Sequence, residues 1–217
     1  MSIPRLYAVV DDEAATARGW TLRSLARAYL AGGAALLQLR AKQMSSGELL
    51  RRSEEVSADA RERAATVVVN DRADIARLVP GAGVHVGQDD LPPALVRDLV
   101  GPEAIVGFST HTRGQIDAAL LEPITYLAIG PVFATRTKET GYDRVGLDLV
   151  RYAVASARAQ SERTGTPSIP VVAIGGITLD TAREVIDAGA TSVAVISDLL
   201  VGNDPAARVR AFLERLG

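Results

Sequence analysis

Three polar side chains follow one short apolar run near residue 40. Gln38, Arg40 and Lys42 alternate with Leu39 and Ala41. In extended backbone, every second side chain lies on the same face, so the amide and the two cations are expected to point toward one spot. Such a group of donors suits a phosphorylated ligand. The spacing alone leaves open a solvated strand end with incidental charges.

Carboxylates follow the next two apolar runs. Asp71 comes directly after Asn70, and Asp90 closes the segment that begins at Gly87. Mg²⁺ is commonly held by one or two carboxylates together with waters and substrate phosphate oxygens. Beside the cationic residues near position 40, this pair predicts a magnesium site. The alternative is that each aspartate caps the helix that follows it.

Two further segments are typical of phosphate binding. The first, Thr135-Arg136-Thr137-Lys138, combines two hydroxyls with two cations inside a long stretch without periodicity. Long loops in compact domains are often lids or binding loops, although a plain polar loop has the same composition. The second combines Gly175-Gly176 with Ser197, at the ends of the last two predicted strands. Glycines there let backbone N–H groups approach an anion.

The two histidines do not form a metal-binding pair by their spacing. His85 lies between Val84 and Val86, which indicates an interior histidine with satisfied hydrogen bonds. His111 follows the fifth predicted strand, where its role stays open.

Eight short apolar runs alternate with helical patterns and must position these residues. The predicted strands are 6–10, 36–39, 66–69, 83–86, 105–108, 126–132, 171–174 and 192–196. The predicted helices are 22–30, 45–63, 72–79, 92–100, 112–121, 147–161, 179–188 and 204–216. Units of about 27 residues are the size of a βαβ element, and eight of them can close into a barrel.

The fold class predicted is therefore α/β, a (β/α)₈ TIM barrel, with residues 1–217 as a single domain. The alternative is an open doubly wound sheet, but no G-x-G-x-x-G follows the first strand to support a dinucleotide site. In a (β/α)₈ barrel, chemistry takes place at the carboxyl ends of the strands. The polar residues singled out above follow those ends.

Composition excludes several classes of function. Lys and Arg total 24 against 26 Asp and Glu, and aromatic residues make up 4%, which predicts no nucleic-acid partner. The absence of cysteine excludes disulfides, thiolate metal sites and a cysteine nucleophile. No apolar run reaches about 18 residues, so no membrane partner is expected. The N-terminus has no signal-peptide pattern, and a cytoplasmic protein is predicted.

Five segments, in this order along the chain, resemble the thiamine phosphate synthase family. They are Gln38-Leu39-Arg40-Ala41-Lys42, Asn70-Asp71-Arg72-Ala73-Asp74, Gly83 to Asp90, Thr135-Arg136-Thr137-Lys138 and Ala173-Ile174-Gly175-Gly176-Ile177. The resemblance covers nearly the whole chain, and it implies a (β/α)₈ barrel. It also implies a reaction between two small-molecule substrates. Hydroxymethylpyrimidine diphosphate and a thiazole phosphate, or its carboxylated form, would give thiamine phosphate and pyrophosphate.

The resemblance also implies roles for individual residues. The pyrimidine diphosphate would contact Gln38, Arg40, Lys42, Asn70, Ser109 and Lys138. The thiazole phosphate would contact Thr135, Thr137, Gly176, Ile196 and Ser197. Asp71 and Asp90 would bind Mg²⁺, the one cofactor expected. Catalysis is assigned to Arg40, Lys42 and Lys138, because charge that accumulates on departing pyrophosphate needs cations.

Two other functions stay open. A related thiazole tautomerase would share the fold and the phosphate site without needing Mg²⁺ or a diphosphate site. The joint presence of Lys42, Asp71, Asp90 and Lys138 favours the synthase. A non-catalytic barrel that binds a phosphate ligand is the other alternative, and it would show saturable binding without turnover.

Overall fold

A computed structural model describes residues 3–134 and 143–217. Eight parallel strands form its centre, each close to one of the predicted apolar runs. Their bounds are β1 Leu6–Asp11, β2 Leu36–Arg40, β3 Thr66–Asn70, β4 Gly83–Val86, β5 Val106–Thr110, β6 Tyr126–Ile129, β7 Val171–Ile174 and β8 Ser192–Val195.

Helices connect the strands on the outside. They are α1 Asp12–Thr16, α2 Leu22–Ala31, α3 Ser46–Arg61, α4 Ala73–Leu78, α5 Pro93–Val100, α6 Arg113–Ala119, α7 Gly146–Thr164, α8 Ala182–Asp187 and α9 Pro205–Leu216. A 3₁₀ segment, Ser197–Leu200, follows β8. The sequence analysis missed α1, a helix of five residues that is too short to show an apolar stripe. No helix in residues 3–134 or 143–217 has the length and apolar character to cross a bilayer.

The strands pair in sequence order, and the last returns to the first. Parallel pairing runs from β1 through β8, and the barrel closes where Leu6 of β1 is in register with Val193 of β8. The (β/α)₈ barrel is thus confirmed, and the alternative of an open doubly wound sheet is wrong. The predicted strand 126–132 is too long, because β6 ends at Ile129 and a cis Gly130–Pro131 peptide follows.

Alternation along each strand divides its side chains between two environments. On β1, Leu6, Ala8 and Val10 pack outward in the cluster between barrel and helices, whereas Tyr7 and Val9 pack in the barrel interior. The other strands follow the same rule, since successive side chains of a strand point to opposite faces. The interior set is Ile3, Tyr7, Val9, Leu36, Val68, Ile105, Tyr126, Ala128, Val172 and Ala194. On β1, β2, β3 and β5 the inward rows end in polar residues, Asp11, Arg40, Asn70 and Ser109, whereas the inward row of β7 ends in Ile174.

Candidate active site

One cavity opens at the carboxyl ends of the strands, and we call it the central cavity. Its wall brings together predicted site residues from five of the strand ends: Gln38, Arg40, Asn70, Ser109, Gly176, Ile196 and Ser197. The remaining lining residues are His85, His111, Gly130, Pro131, Ile174, Gly175, Ile177, Ala194 and Val195. Donors near β2 and β3 thus share one wall with the glycines after β7 and the hydroxyl after β8.

Arg40 is fixed in this wall by a carboxylate that the sequence analysis did not identify. Arg40 and Asp11 are register partners on β2 and β1, and the Arg40 guanidinium donates to the Asp11 carboxylate. Asp11 is only 3% exposed, and it also accepts a hydrogen bond of 2.9 Å from the backbone N–H of Ala14. The signal that could have found it is an acidic residue at the end of β1, facing a cation at the end of β2.

Lys42 does not line the central cavity with Gln38 and Arg40, so the expectation that all three side chains lie on one face of an extended strand is wrong for Lys42. Strand β2 ends at Arg40, and beyond it the alternation of faces no longer holds. Lys42 instead lines a side hollow with Ala41, Met44, Leu49, Asn70, Asp71 and Arg72. Its Nζ lies 3.4 Å from Oδ2 of Asp71. Asn70 lies in both walls, so the side hollow adjoins the central cavity.

Asp71 stands at the turn between β3 and α4 in an unusual backbone conformation. Its φ is +64°, a left-handed region that aspartate and asparagine adopt more readily than other non-glycine residues. Its backbone N–H donates to the carbonyl oxygen of His85 at 2.7 Å, which fixes the turn against β4. The side chain does not cap α4, whose N-cap residue is Arg72 and has no side-chain hydrogen bond. The capping alternative for Asp71 is therefore wrong.

Asp90 lies close to Asp71. Its carboxylate accepts a hydrogen bond of 2.7 Å from the backbone N–H of Gly87, so it closes the turn after β4 rather than capping α5. Burial, and after it the negative charge of Asp90, raises the pKa of Asp71, while Lys42 opposes the rise. The two carboxylates repel each other across a short gap, an arrangement that a bound cation would relieve.

This carboxylate pair can be tested against what Mg²⁺ requires. Within residues 3–134 and 143–217, no three His, Cys, Asp or Glu side chains form a group able to hold a metal by themselves. Mg²⁺, however, usually keeps several waters and takes one or two carboxylates together with substrate phosphate oxygens. Asp71 and Asp90 therefore suit a Mg²⁺ that completes its coordination with waters and substrate phosphate oxygens.

Glycines form the opposite end of the central cavity. Gly175 and Gly176 follow β7 with φ values of +100° and +65°. A Cβ atom at Gly176 would lie 2.5 Å from the carbonyl oxygen of Ala134. Glycine is thus required by the neighbouring backbone, independently of any ligand. A Gly176→Val variant would disturb residues 133–134 as well as a bound phosphate, so it cannot isolate a phosphate contact.

A buried carboxylate ties the segments after β7 and β8 together. Asp198, in the 3₁₀ segment, accepts hydrogen bonds from the backbone N–H of Leu179 at 3.0 Å and from Nη2 of Arg208 at 2.6 Å. Arg208 also donates through Nε to the Asp198 carbonyl oxygen. Ser197 directly precedes this clasp, so the clasp sets the position of the cavity wall at Ser197 relative to the glycines.

The two histidines reach the central cavity in different ways. His85 is buried within β4, where Nε2 lies 2.8 Å from Oγ of Ser109 and Nδ1 lies 2.9 Å from the hydroxyl of Tyr126. This matches the expected interior histidine with satisfied hydrogen bonds. The Nδ1 atom of His111 contacts the carbonyl oxygen of Gly130, and its backbone N–H donates to Oε1 of Gln115. Both residues line the cavity wall.

Three predicted site residues, Thr135, Thr137 and Lys138, lie outside the residues that the structure describes. The described backbone resumes at Asp143. Their expected contacts with the thiazole phosphate and the diphosphate stay predictions.

The fold and the cavity define a class of protein, a (β/α)₈ barrel with a polar cavity at the carboxyl ends of its strands. A family model described as thiamine monophosphate synthase matches residues 6–199. The thiamine-phosphate synthase of Koribacter versatilis is 46% identical over 221 residues, which cover 100% of this chain and 97% of that protein. That of Arthrobacter sp. is 41% identical over 226 residues, which cover 98% of this chain and 94% of that protein.

Solved structures agree with the sequence relatives. Thiamine phosphate pyrophosphorylase from Pyrococcus furiosus superposes with a TM-score of 0.83 at 29% identity, covering 98% of this chain and 95% of that one. The chain belongs to the thiamine monophosphate synthase family, and it is an enzyme of the transferase class.

Proposed function

We propose that the central cavity joins hydroxymethylpyrimidine diphosphate to a thiazole phosphate, giving thiamine phosphate and pyrophosphate. The observation that carries this proposal is the shared wall of the cavity. Gln38, Arg40 and Asn70 stand at one end, next to the carboxylate pair, and Gly176 and Ser197 stand at the other. Two anionic groups can thus be held at opposite ends of one cavity while their organic parts meet between them.

The diphosphate is assigned to the end formed by β2, β3 and β4. Arg40 lines the cavity there, Asn70 connects the cavity to the side hollow, and Lys42 lies in that hollow beside Asp71. Asp71 and Asp90 would hold Mg²⁺ together with diphosphate oxygens. When bound, Mg²⁺ neutralises charge on the leaving pyrophosphate. Lys138 is proposed as a further cation for the same charge.

The chemical step requires no protein nucleophile. The amino group of the pyrimidine donates electrons to the ring, so the methylene carbon can carry positive charge as its bond to the diphosphate oxygen breaks. The thiazole nitrogen then supplies the electron pair for the new carbon–nitrogen bond, and pyrophosphate leaves with the electrons of the old bond. The residues of this chain bind, orient and exclude water; Arg40 and Lys42 stabilise the charge that grows on the leaving group.

The thiazole phosphate is assigned to the end formed by β7 and β8. Gly176, Ile196 and Ser197 stand there, held by the Asp198 clasp, and the left-handed glycine turn exposes backbone N–H groups. Backbone donors of this kind favour an anion. Thr135 and Thr137 are proposed to complete this end. A cytoplasmic location, where phosphorylated intermediates are retained, is part of the same proposal.

Product analysis tests the function directly. Both substrates are mixed with the protein, with and without Mg²⁺, and thiamine phosphate and pyrophosphate are quantified. Equal amounts of the two products, formed only with Mg²⁺, are expected. Isomerisation of a thiazole phosphate without the pyrimidine substrate would instead indicate the tautomerase, and saturable binding without products would indicate a ligand-binding barrel. Either result would contradict the proposal.

A further inference from the structure

Five polar side chains form a continuous hydrogen-bond network through the barrel interior, and we call it the interior network. Its members, in order, are Gln38, Tyr7, Tyr126, His85 and Ser109. Nε2 of Gln38 lies 3.1 Å from the Tyr7 hydroxyl, and the two tyrosine hydroxyls are 3.0 Å apart. The Tyr126 hydroxyl is 2.9 Å from Nδ1 of His85, whose Nε2 is 2.8 Å from Oγ of Ser109. Both terminal members line the central cavity.

The barrel interior is shaped around the two tyrosines. A Cβ atom at Gly107 would lie 2.0 Å from Cζ of Tyr126, so the glycine on β5 makes room for the ring. The His85 and Tyr126 rings stack with centroids 5.7 Å apart, and the Tyr7 ring meets Tyr126 edge-on at 5.8 Å. Both tyrosines are fully buried. Buried polar groups are costly unless every link is satisfied, so the network is a specific arrangement.

With one proton on the His85 imidazole, the protons of the network can be ordered in two ways only. Burial raises the pKa of Tyr7 and of Tyr126, so each hydroxyl keeps one proton. In the forward order, Gln38 donates to Tyr7, each hydroxyl donates to the next member, and Nε2–H of His85 donates to Ser109. In the reverse order, donor and acceptor exchange roles in every hydrogen bond. The amide of Gln38 is then flipped, so that its carbonyl oxygen accepts from the Tyr7 hydroxyl. A mixed order leaves one link with two protons or none.

The order of the protons determines which hydrogen-bonding groups Gln38 and Ser109 present to the cavity. In the forward order, Gln38 offers its carbonyl oxygen as an acceptor, and Ser109 offers its hydroxyl proton as a donor. In the reverse order, Gln38 offers an N–H donor and Ser109 a bare oxygen. An aminopyrimidine carries an amino donor adjacent to a ring-nitrogen acceptor, which complements the forward order at both ends.

We propose that the three middle members of the interior network are positioning residues that couple the hydrogen-bonding polarity of Gln38 to that of Ser109. A bound aminopyrimidine selects the forward order, and both contacts are set together. The substrate half of this inference rests on the proposed function. The coupling itself is a property of the protein and needs no substrate to be observed.

The tautomer of His85 reports the order. The chain has two histidines, so ¹⁵N-histidine labelling gives two imidazole signal sets, and His111→Gln assigns them. With hydroxymethylpyrimidine diphosphate bound, His85 is expected to carry its proton on Nε2. In Gln38→Glu without ligand, a carboxylate can only accept from Tyr7, so the order reverses and the proton moves to Nδ1. The double variant Gln38→Glu/Tyr126→Phe should show the same His85 tautomer as Tyr126→Phe alone.

Steady-state kinetics give a second measurement. Tyr126→Phe should raise the KM for hydroxymethylpyrimidine diphosphate roughly tenfold or more, the effect of about one lost or orphaned hydrogen bond. Tyr7→Phe should act in the same direction. Inhibition by inorganic pyrophosphate, which lacks the ring, should not change. Tyr29→Phe is the matched control: Tyr29 is also buried, and its hydroxyl has no hydrogen-bond partner within residues 3–134 and 143–217.

Two results would overturn the inference. One is a ligand-free Gln38→Glu protein in which His85 carries its proton on Nε2. The other is a loss of pyrophosphate inhibition in Tyr126→Phe that equals the loss for the pyrimidine substrate, since that pattern indicates general damage. Failure of the proposed function looks different: wild-type protein would then form no thiamine phosphate, while His85 of ligand-free Gln38→Glu would still carry its proton on Nδ1.

Discussion

Asp11 and Arg40 form an ion pair at the carboxyl edge of the barrel, in which the Arg40 guanidinium donates to the Asp11 carboxylate. The two residues are in register on adjacent strands, and Asp11 is itself fixed by the backbone N–H of Ala14. Arg40 is thereby held in the cavity wall before any ligand arrives. A cation positioned in advance costs less to organise during the reaction than a mobile one.

The first prediction concerns this pair. Asp11→Asn keeps the shape of the side chain and an acceptor for the Ala14 N–H, but it removes the charge that holds Arg40. A charge-assisted hydrogen bond contributes about 1.5–3 kcal/mol, so kcat/KM for the pyrimidine diphosphate should fall roughly 10- to 150-fold. Steady-state kinetics with each substrate varied in turn measure this.

The matched control is Asp59→Asn. Asp59 pairs with Arg23 at 2.8 Å between α2 and α3, outside the cavity wall. Loss of the Asp59–Arg23 pair should leave kcat/KM for each of the two substrates near its wild-type value. Equal effects of the two variants on kcat/KM would show that Asp11 acts through stability alone.

The alternation of strand side chains makes much of the site predictable from the sequence. Once Val9 and Leu36 are recognised as interior residues, the same two-residue period places Asp11 and Arg40 on the inward rows. It does not extend to Lys42, because β2 ends at Arg40. Period and register are local properties, whereas the end of a strand depends on the turn that follows it.

The interior network lies beyond what local patterns contain. Tyr7 and Tyr126 are separated by 119 positions, and nothing around either residue indicates that their hydroxyls meet. The left-handed conformation of Asp71 is likewise set by its hydrogen bond to the backbone of β4. Both features depend on barrel closure, so the sequence predicts the polar residues but not their partners.

The second prediction is that Asp71→Asn stabilises the protein in Mg²⁺-free buffer. The pKa of Asp71 is raised by burial and by Asp90, so its ionised form is disfavoured in the folded state. That cost is present in full above the folded pKa and disappears as the pH falls below it. Asparagine removes the cost and also tolerates a positive φ. Thermal unfolding near pH 7 with EDTA should show a higher Tm, and the gain should shrink in acid.

Asp74→Asn provides the opposite control. Its hydrogen bond to Arg72 lowers the pKa of Asp74, so the ionised form is favoured in the folded state. This variant should leave the Tm unchanged or lower it slightly, because the pair is exposed. If Asp71→Asn also lowered the Tm, burial and the charge of Asp90 would disfavour the ionised carboxylate by less than its contact with Lys42 stabilises it.

The third prediction concerns the Asp198 clasp. Asp198→Ala leaves the Leu179 N–H and the Arg208 guanidinium without their shared acceptor, at a cost of about 1–3 kcal/mol in unfolding free energy. Because the clasp sets the cavity wall after β7 and β8, the KM for the thiazole phosphate should rise about tenfold, equivalent to about 1.4 kcal/mol. The KM for the pyrimidine diphosphate should change much less.

Asp187→Ala is a suitable comparison for Asp198→Ala. Asp187 pairs with Arg183 at 2.9 Å on the exposed face of α8, which is adjacent in sequence to the same loop. Surface pairs of this kind contribute little, so neither KM should move. A similar rise in both substrates' KM for Asp198→Ala would contradict a role confined to the phosphate end.

The fourth prediction is that Lys138→Ala lowers turnover more than binding. Charge on pyrophosphate grows as its bond to carbon breaks, so a cation there acts mainly in the transition state. Loss of one such group costs about 3–4 kcal/mol, or roughly a hundred- to thousandfold in rate. Lys138→Arg should restore only part of the rate. Single-turnover release of pyrophosphate, compared with equilibrium binding, separates the two effects; normal release at saturation would reduce Lys138 to a binding residue.

The fifth prediction tests the space that Gly107 leaves for Tyr126. Gly114, on the exposed side of α6, is the control, since a Cβ there meets no heavy atom within 4 Å. Gly114→Ala should stabilise the protein by about 0.5–1 kcal/mol through helix propensity. Its effect on the KM for the pyrimidine diphosphate should be absent.

Gly107→Ala, by contrast, should lower the stability of the protein and change the KM for the pyrimidine diphosphate. Its new Cβ would lie 2.0 Å from the Tyr126 ring, which is held between His85 and Tyr7 and cannot move aside freely. Overpacking of this kind costs about 1–3 kcal/mol, and it should also disturb the interior network and raise the KM for the pyrimidine diphosphate. Chemical denaturation of Gly107→Ala, Tyr126→Leu and the double variant isolates the contact. Because leucine is shorter than tyrosine, adding alanine at position 107 should cost little in the Tyr126→Leu background. A cost that stays the same in both backgrounds would mean that strand flexibility at Gly107, and not the ring of Tyr126, requires the glycine.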